Sequence, residues 1–144
     1  MIIAMANDHG GLELKKTIKT HLIERKIKVV DLGTNDSNPV DYPDYGKACA
    51  EAVASGKADL GMVFCGTGIG ISIAANKVKG IRCALTYSVE TAKLAREHNN
   101  ANMLAMGGRM IEPELAIKMT DAWLDAEFQG GRHLRRIEKL SSIQ

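Results

Sequence analysis

The fold of this protein is decided by a segment in the middle of the chain, which reads Leu60-Gly61-Met62-Val63-Phe64-Cys65-Gly66-Thr67-Gly68-Ile69-Gly70. Residues 60–64 are apolar enough for a buried strand, and the alternating glycines after Cys65 indicate a tight turn. Residues 71–78 then predict a helix that ends near Gly80. A buried strand that passes through a glycine-rich turn into a helix is typical of a βαβ unit, which indicates a parallel sheet.

The same alternation of strand and helix continues on both sides of this segment. We expect further strands at residues 2–6, 27–30, 81–85 and 103–106. We expect further helices at residues 12–23, 44–55, 88–98, 112–128 and 132–140, with a loop at 34–43. The pattern predicts an α/β fold, a Rossmann-like three-layer sandwich with a five-stranded parallel sheet. No linker or internal repeat is visible, so we expect a single domain over residues 1–144.

The composition excludes several classes of protein. Hydrophobic residues make up 45% of the chain and charged residues 25%, which is typical of a soluble globular protein and not of a disordered tail, a collagen-like repeat or a disulfide scaffold. The net charge of +2 is too small to indicate a nucleic-acid partner. No apolar run is long enough to predict a membrane span. Three cysteines without an export signal favour a cytoplasmic location.

The chain combines 14 glycines with an aromatic content of only 4%. At least seven of the glycines follow predicted strands, namely Gly10, Gly11, Gly66, Gly68, Gly70, Gly107 and Gly108. Ligands of open α/β proteins bind beyond the carboxyl ends of the strands. We therefore expect these glycines to let the polar groups of a small hydrophilic ligand approach the backbone.

The turn after Cys65 is the strongest candidate for chemistry. Its backbone amides lie at the start of a helix, where they suit an anion, although a tight turn without a ligand is the alternative. Ile71 occupies the position where a dinucleotide fingerprint needs glycine and a phosphatase loop needs arginine, and no lysine follows Gly70 as in NTPases. What remains is a thiol whose ionised form is favoured by the helix N-terminus. We expect Cys49 and Cys83 to be small buried side chains.

Other polar candidates lie at the ends of predicted elements: Asp8, His9, His98, Asn99, Arg109, Arg132 and Arg136. Five of them have an alternative interpretation. Asp8 could cap a helix beside a surface His9, and His98 could interact as a cation with a helix C-terminus. Arg132 and Arg136 are spaced to share one helical face, where they could hold one anion or form a solvated basic surface.

Taken together, these residues resemble the ribose-5-phosphate isomerase B group of the ribose and galactose phosphate isomerase family. The resemblance runs through almost the whole chain, in Asp8-His9-Gly10-Gly11, Asp41-Tyr42-Pro43, Cys65 to Lys77, Gly80-Ile81-Arg82, His98-Asn99-x-Ala101-Asn102, Gly107-Gly108-Arg109 and Gly130-Gly131-Arg132-His133-x-x-Arg136. It implies interconversion of ribose 5-phosphate and ribulose 5-phosphate through an enediolate. Another branch of the family uses a carboxylate base at the position of Ile71, so this chain resembles the thiol-base branch.

The resemblance also implies a role for each candidate residue. Cys65 is the expected base, Thr67 passes a proton or binds the substrate oxygens, and His98 opens the sugar ring together with Asp8. The enediolate is expected to bind the backbone amides of Gly66, Thr67, Gly68, Ile69 and Gly70. The phosphate is expected to bind His9, Arg109, Arg132 and Arg136. The sugar is expected to contact Tyr42 and Asn99.

The resemblance further implies that no metal or organic cofactor is used. It implies a homodimer or tetramer with a shared active site, in which part of the set formed by His98 and the arginines joins the Cys65 turn of another subunit. We expect the helix at 132–140 to pack at that interface.

Two alternative functions stay open. One is isomerisation of a hexose 6-phosphate, such as allose 6-phosphate or galactose 6-phosphate. The other is a non-catalytic module that binds a sugar phosphate. A redox role for the thiols is disfavoured because the chain has no Cys-x-x-Cys motif.

Overall fold

Strands and helices alternate along the chain, and the computed structural model describes residues 1–143. The strands are β1 (Ile2–Asn7), β2 (Lys28–Asp31), β3 (Leu60–Cys65), β4 (Cys83–Leu85) and β5 (Met103–Gly107). The helices are α1 (Leu12–Glu24), α2 (Tyr42–Ala54), α3 (Ile69–Asn76), α4 (Val89–Asn99), α5 (Pro113–Asp125) and α6 (Arg132–Ser141). A short 3-10 turn at His9–Gly11 connects β1 to α1.

The five strands form one parallel sheet in the order β2-β1-β3-β5-β4. The predicted α/β fold with a five-stranded parallel sheet is confirmed. From β1 the chain moves outward to β2, and from β3 it moves outward in the opposite direction. The turns after β1 and β3 therefore lie side by side at the point where the strand order reverses, which is where open α/β sheets bind ligands.

The two faces of the sheet bury side chains of different size. Ile3 and Met5 of β1 point to the face covered by α1, α4 and α5. Ala4 and Ala6 point to the face covered by α2 and α3. This strict alternation follows from the pleat of the strand and produces the expected three layers. Trp123 fills the first face and donates its indole N–H to the Ala101 carbonyl oxygen at 3.1 Å.

Two helices begin earlier than the sequence pattern predicts. α2 begins at Tyr42, inside the segment expected to be a loop, because Pro43 lies in the first turn of the helix, where its missing N–H has no cost. α3 begins at Ile69, directly after Gly68, whose φ of 81° turns the chain into the helix. Both shifts place residues of the helical first turns at the carboxyl edge of the sheet.

A local hydrogen bond sets the start of α4, whereas a long-range contact accompanies the end of α5. Ser88 caps α4 by accepting a hydrogen bond from the Thr91 amide. α5 was expected to reach residue 128 but ends at Asp125. The chain becomes extended there, and the Gln129 amide donates to the Glu97 carbonyl oxygen at 3.0 Å instead of continuing the helix.

The longest helices have 13 residues. Within residues 1–143, none combines the length and the apolar content that crossing a membrane requires.

Candidate active site

The turn after β1 packs directly against the turn after β3. A Cβ atom on Gly10 would lie 2.9 Å from the Gly66 nitrogen. The end of β5 packs on the same turn, since a Cβ atom on Gly107 would lie 2.5 Å from the Thr67 carbonyl oxygen. The same packing of backbone on backbone occurs at Gly11 and Gly108. These four glycines are required because main chains approach each other closely. The sequence-based explanation, that they leave room for a ligand, is corrected for these positions.

Cys65 is the last residue of β3 and reaches the surface only slightly, with 5% of the residue exposed. Its Sγ accepts a hydrogen bond from the Gly68 amide at 3.1 Å. The Ile69 amide donates to Thr67 Oγ1 at 3.1 Å. Two amides expected to bind an anion are therefore used inside the turn, and one of them stabilises negative charge on the Cys65 sulfur.

The other two cysteines have a different environment. Burial raises the pKa of the Cys49 thiol to about 12 and also raises the pKa of the Cys83 thiol. Cys49 donates its S–H to the Ala4 carbonyl oxygen at 3.4 Å. The prediction that these two thiols are buried side chains is confirmed.

Arg109 and Tyr42 lie on two sides of the turn that follows Cys65. The Arg109 guanidinium covers Gly66, where a Cβ atom would come within 2.9 Å of Nη1. The Tyr42 ring covers Gly70, where a Cβ atom would come within 2.5 Å of the ring carbons. Arg109 is exposed, and 40% of Tyr42 is exposed. A cation and a phenol therefore border the turn that follows Cys65, an arrangement that suits an anionic ligand with hydroxyl groups.

Asp8 and His9 are tied to their own surroundings. Asp8 Oδ1 accepts hydrogen bonds from the Gly10 amide at 2.9 Å and the Gly11 amide at 3.2 Å, so Asp8 is the cap that the sequence left as an alternative. His9 Nδ1 accepts from the Val40 amide at 3.2 Å. The neutral His9 ring then carries its proton on Nε2.

His98 and Asn99 lie at the opposite, amino edge of the sheet. They form the end of α4. The Asn99 carbonyl oxygen accepts a hydrogen bond at 3.2 Å from Nε of Arg82, the residue that precedes β4. Asp8 lies at the carboxyl edge, so the length of β5, about 13 Å at ~3.3 Å per residue, separates the two levels. The expected pair of His98 and Asp8 is therefore not formed within one protomer.

Helix α6 brings its arginines to the same end as His98. It packs on α4 and buries only His133 and Ile137, which leaves Arg132 and Arg136 exposed. The rings of His98 and His133 stack with centroids 4.3 Å apart and an interplanar angle of 13°. Burial, with the charges of His98 and the two arginines, lowers the pKa of His133.

Two neighbours of the site were not predicted from the sequence. Tyr87, in the turn after β4, donates its hydroxyl to the Thr67 carbonyl oxygen. His133 supports His98, as described above. The sequence contains a signal for each of them. Tyr87 falls in the turn after a predicted strand, and His133 belongs to the Gly-Arg-His motif near the C-terminus.

No group of three or more His, Cys, Asp or Glu residues in the described part of the chain is arranged to hold a metal ion. The carboxyl edge instead combines a hydrogen-bonded thiol with a helix N-terminus and a guanidinium group. The fold and this edge define an α/β protein with a candidate site for a small anionic ligand beside a hydrogen-bonded thiol.

The chain belongs to the Ribose/Galactose Isomerase family, whose model matches residues 3–140. Ribose-5-phosphate isomerase B of Escherichia coli (strain K12) is 48% identical over 142 residues, covering 99% of this chain and 95% of that protein. The family expected from the sequence motifs is confirmed.

Solved structures agree with this assignment. Ribose-5-phosphate isomerase B of Clostridium thermocellum is 52% identical, with a TM-score of 0.97 over 98% of this chain and 95% of that chain. Ribose-5-phosphate isomerase B from Mycoplasma genitalium, solved with bound ribulose-5-phosphate, is 48% identical, with a TM-score of 0.92 over 97% of this chain and 93% of that chain.

Proposed function

We propose that this protein is an aldose-ketose isomerase that interconverts D-ribose 5-phosphate and D-ribulose 5-phosphate. The observation that carries the proposal is the Cys65 thiol. It lies where the strand order of the sheet reverses, and it accepts a hydrogen bond from the Gly68 amide at 3.1 Å. The relatives named ribose-5-phosphate isomerase B favour a pentose phosphate over a hexose phosphate as substrate.

In the proposed mechanism, Cys65 is the base. After the sugar ring opens, the thiolate removes the proton from C2 and the electron pair of that bond forms the enediolate. The same proton returns from sulfur to C1, while a proton moves between the oxygens on C1 and C2 through the Thr67 hydroxyl. The substrate and product are isomers, so this route consumes no oxidant or reductant. A base of this kind contributes about 10²–10⁴-fold to the rate.

The enediolate charge requires donors beside the thiol. The first-turn amides of α3 have no acceptor within the helix, and Ile69 already donates to Thr67 Oγ1. We assign the Gly70 amide, with the positive end of α3, to the developing oxyanion. The sugar lies against Tyr42, which covers Gly70. This assignment keeps the reacting carbons next to the sulfur.

We propose that the remaining residues come from a second subunit of a homodimer, which two dimers could extend to a tetramer. One edge of the chain has the base and Arg109, while the other has His98, Asn99, Arg132 and Arg136, so each edge lacks what the other holds. In the dimer, His98 opens the ring and the arginines bind the phosphate beside the Cys65 of the other subunit.

Exposed apolar side chains at both ends support this assembly. Ile69 and Ile73 of α3 are 49% and 54% exposed, and Leu134 and Leu140 of α6 are 48% and 49% exposed. Apolar surface of this kind is typical of protein–protein contacts. We therefore expect α6 to pack at the subunit interface. Asp8, which caps the first turn, is assigned to assist His98 across that interface.

We assign the reaction to the cytoplasm. The structure has Cys49, Cys65 and Cys83 as free thiols, and a thiol base must remain reduced to act. No metal or organic cofactor is assigned, since the proposed proton transfers are all carried by side chains and amides.

The function is tested by assaying the pure protein with ribose 5-phosphate in the presence of a chelator. We expect ribulose 5-phosphate to form at a higher kcat/KM than the ketose formed from allose 6-phosphate, because one extra carbon changes pocket fit by about 1–3 kcal/mol. Higher efficiency with the hexose phosphate would replace the assigned substrate. Tight binding of both sugars with no turnover would show a binding module.

A further inference from the structure

Lys15 of α1 is fully buried, which is rare for a lysine because removing its charge from water is costly. Its ammonium is enclosed by oxygen atoms. It donates to Asp31 Oδ2 at 2.9 Å and Oδ1 at 3.2 Å, to the Thr34 carbonyl oxygen at 3.0 Å and to Asn35 Oδ1 at 2.8 Å. The last two acceptors belong to the loop at 32–41, which joins β2 to α2. Lys15 therefore binds the start of this loop as well as the end of β2.

The same loop reaches the candidate active site at its other end. Residues 35–39 are exposed, so this stretch depends on its two ends for its position. One end is held by Lys15 and by Asn7, which donates to the Thr34 carbonyl oxygen at 3.2 Å. The other end contacts His9, whose Nδ1 accepts the Val40 amide at 3.2 Å.

We propose that Lys15 is a positioning residue for substrate binding, which acts by anchoring the loop at 32–41 and thereby the ring of His9. The proposal rests on the proposed function and on the role that the family resemblance implies for His9, which is to bind the substrate phosphate. The anchor at Thr34 and Asn35 determines where Val40 presents its amide. That amide orients the His9 ring and selects the tautomer with the proton on Nε2, the nitrogen left to donate to a phosphate oxygen.

A role in stability alone does not explain this arrangement. Asp31 is also paired with Lys19 at 3.1 Å, from a side chain that is 37% exposed. Replacing both members of a buried ion pair by apolar side chains is often neutral for stability, so the pair by itself is weak evidence for a stabilising role. Besides its ion pair with Asp31, a partner that Lys19 also contacts, the Lys15 ammonium donates hydrogen bonds to two oxygen atoms of the loop.

The test compares Lys15→Met with Lys19→Met as the matched control. Both variants remove a contact to Asp31, but only Lys15→Met removes the contacts to the loop. We expect Lys15→Met to raise KM for ribose 5-phosphate about tenfold while kcat changes less than about twofold. We expect amide hydrogen exchange at residues 34–41 to become about tenfold faster. Lys19→Met is expected to keep the wild-type values.

A spectroscopic measurement follows His9 directly. Long-range ¹H–¹⁵N spectra of the histidine rings, assigned with His9→Asn, should show a single His9 tautomer in the wild type and a mixture in Lys15→Met. These spectra and the exchange rates do not depend on turnover. Inactivity of the wild type towards sugar phosphates would therefore reject the proposed function. The exchange rates and the His9 tautomer would still decide whether Lys15 anchors the loop and the His9 ring.

Asn35→Ala keeps the buried ion pair and serves if Lys15→Met does not fold. It removes one loop acceptor, and we expect a KM increase of about threefold with faster exchange at residues 34–41. The proposal is overturned if loop exchange and the His9 tautomer are unchanged in the variant that folds. It is also overturned if Lys19→Met changes them as much as Lys15→Met does.

Discussion

The carboxyl and amino edges of the sheet both carry candidate site residues, but they are built differently. At the carboxyl edge, main-chain contacts position the candidate residues. The Gly68 amide donates to Cys65, and the backbones of two turns are in contact at Gly10 and Gly66. At the amino edge the candidates are side chains on helix ends. His98 stacks on His133, and Arg132 is exposed.

The two halves of the proposed site therefore contribute different parts of the chemistry. Bringing a base next to a carbon atom requires a rigid frame, which closely packed backbone supplies. Holding a phosphate requires charge and reach, which exposed arginines supply. In the proposed dimer, the carboxyl edge of one subunit therefore supplies the base on a rigid frame, and the amino edge of the other subunit supplies charge for the phosphate.

The largest effect is expected from a substitution at the carboxyl edge. Cys65→Ala should lower kcat about 10³-fold while the Kd for ribulose 5-phosphate changes little, because the variant loses the base and keeps the binding groups. Steady-state kinetics and calorimetry measure the two quantities. Cys83→Ala is the matched control and should keep the wild-type rate. Near-full activity of Cys65→Ala would remove Cys65 from the role of base.

The next effect tests whether the two edges work in different subunits. Cys65→Ala and His98→Asn should each be nearly inactive with ribose 5-phosphate. After the two are unfolded and refolded together, statistical mixing places one intact site in half of the dimers, so about one quarter of the wild-type activity should return. Each variant refolded by itself is the control. No recovery in mixed dimers whose formation is verified would contradict a shared site.

A smaller effect is expected from the phosphate-binding side of the amino edge. Arg132→Ala should raise KM about tenfold and change kcat less, because it removes a charge-assisted hydrogen bond to the substrate phosphate. Arg135→Ala, an exposed arginine on the same helix, is the matched control and should change KM less than about twofold. Equal effects of the two substitutions would indicate that only the overall charge of α6 matters.

The smallest effect concerns the pH dependence of stability at the amino edge. The pKa of His133 is lowered from 6.5, so the unfolded chain takes up this proton at a higher pH than the folded protein does. The stabilising contribution is therefore full above pH 6.5 and is lost as the pH falls from there through the folded pKa. Urea unfolding at pH 7.5 and 5.5 should show a smaller loss in His133→Gln than in the wild type.

The ion-paired carboxylate of Asp31 titrates below this range. Burial raises the pKa of Asp31, but hydrogen bonds from Lys15 and Gly33 outweigh it and leave the pKa below 3.8. Its contribution is therefore lost only as the pH falls below about 3.8 and through the folded pKa. An equal loss of stability in wild type and His133→Gln would show that the stacked ring does not sense pH.

The layers of the fold followed from side-chain patterns, and the departures have physical reasons. Apolar strands and amphipathic helices alternate so regularly that the parallel sheet could be predicted. Pro43 was interpreted as part of a loop, yet it fits the first turn of α2. Gln129 pairs with Glu97, a contact 32 residues away that ends α5 early and that no local pattern reveals.

For the site, the sequence alone specifies the available residue types: a thiol before a glycine-rich helix start, two histidines and a set of arginines. It also determined the family, because those motifs are specific. The strand order, and with it which turns lie side by side, follows only from the tertiary structure. The physical reason is that pairing between strands and packing between glycine backbones are long-range contacts, which a local pattern does not encode.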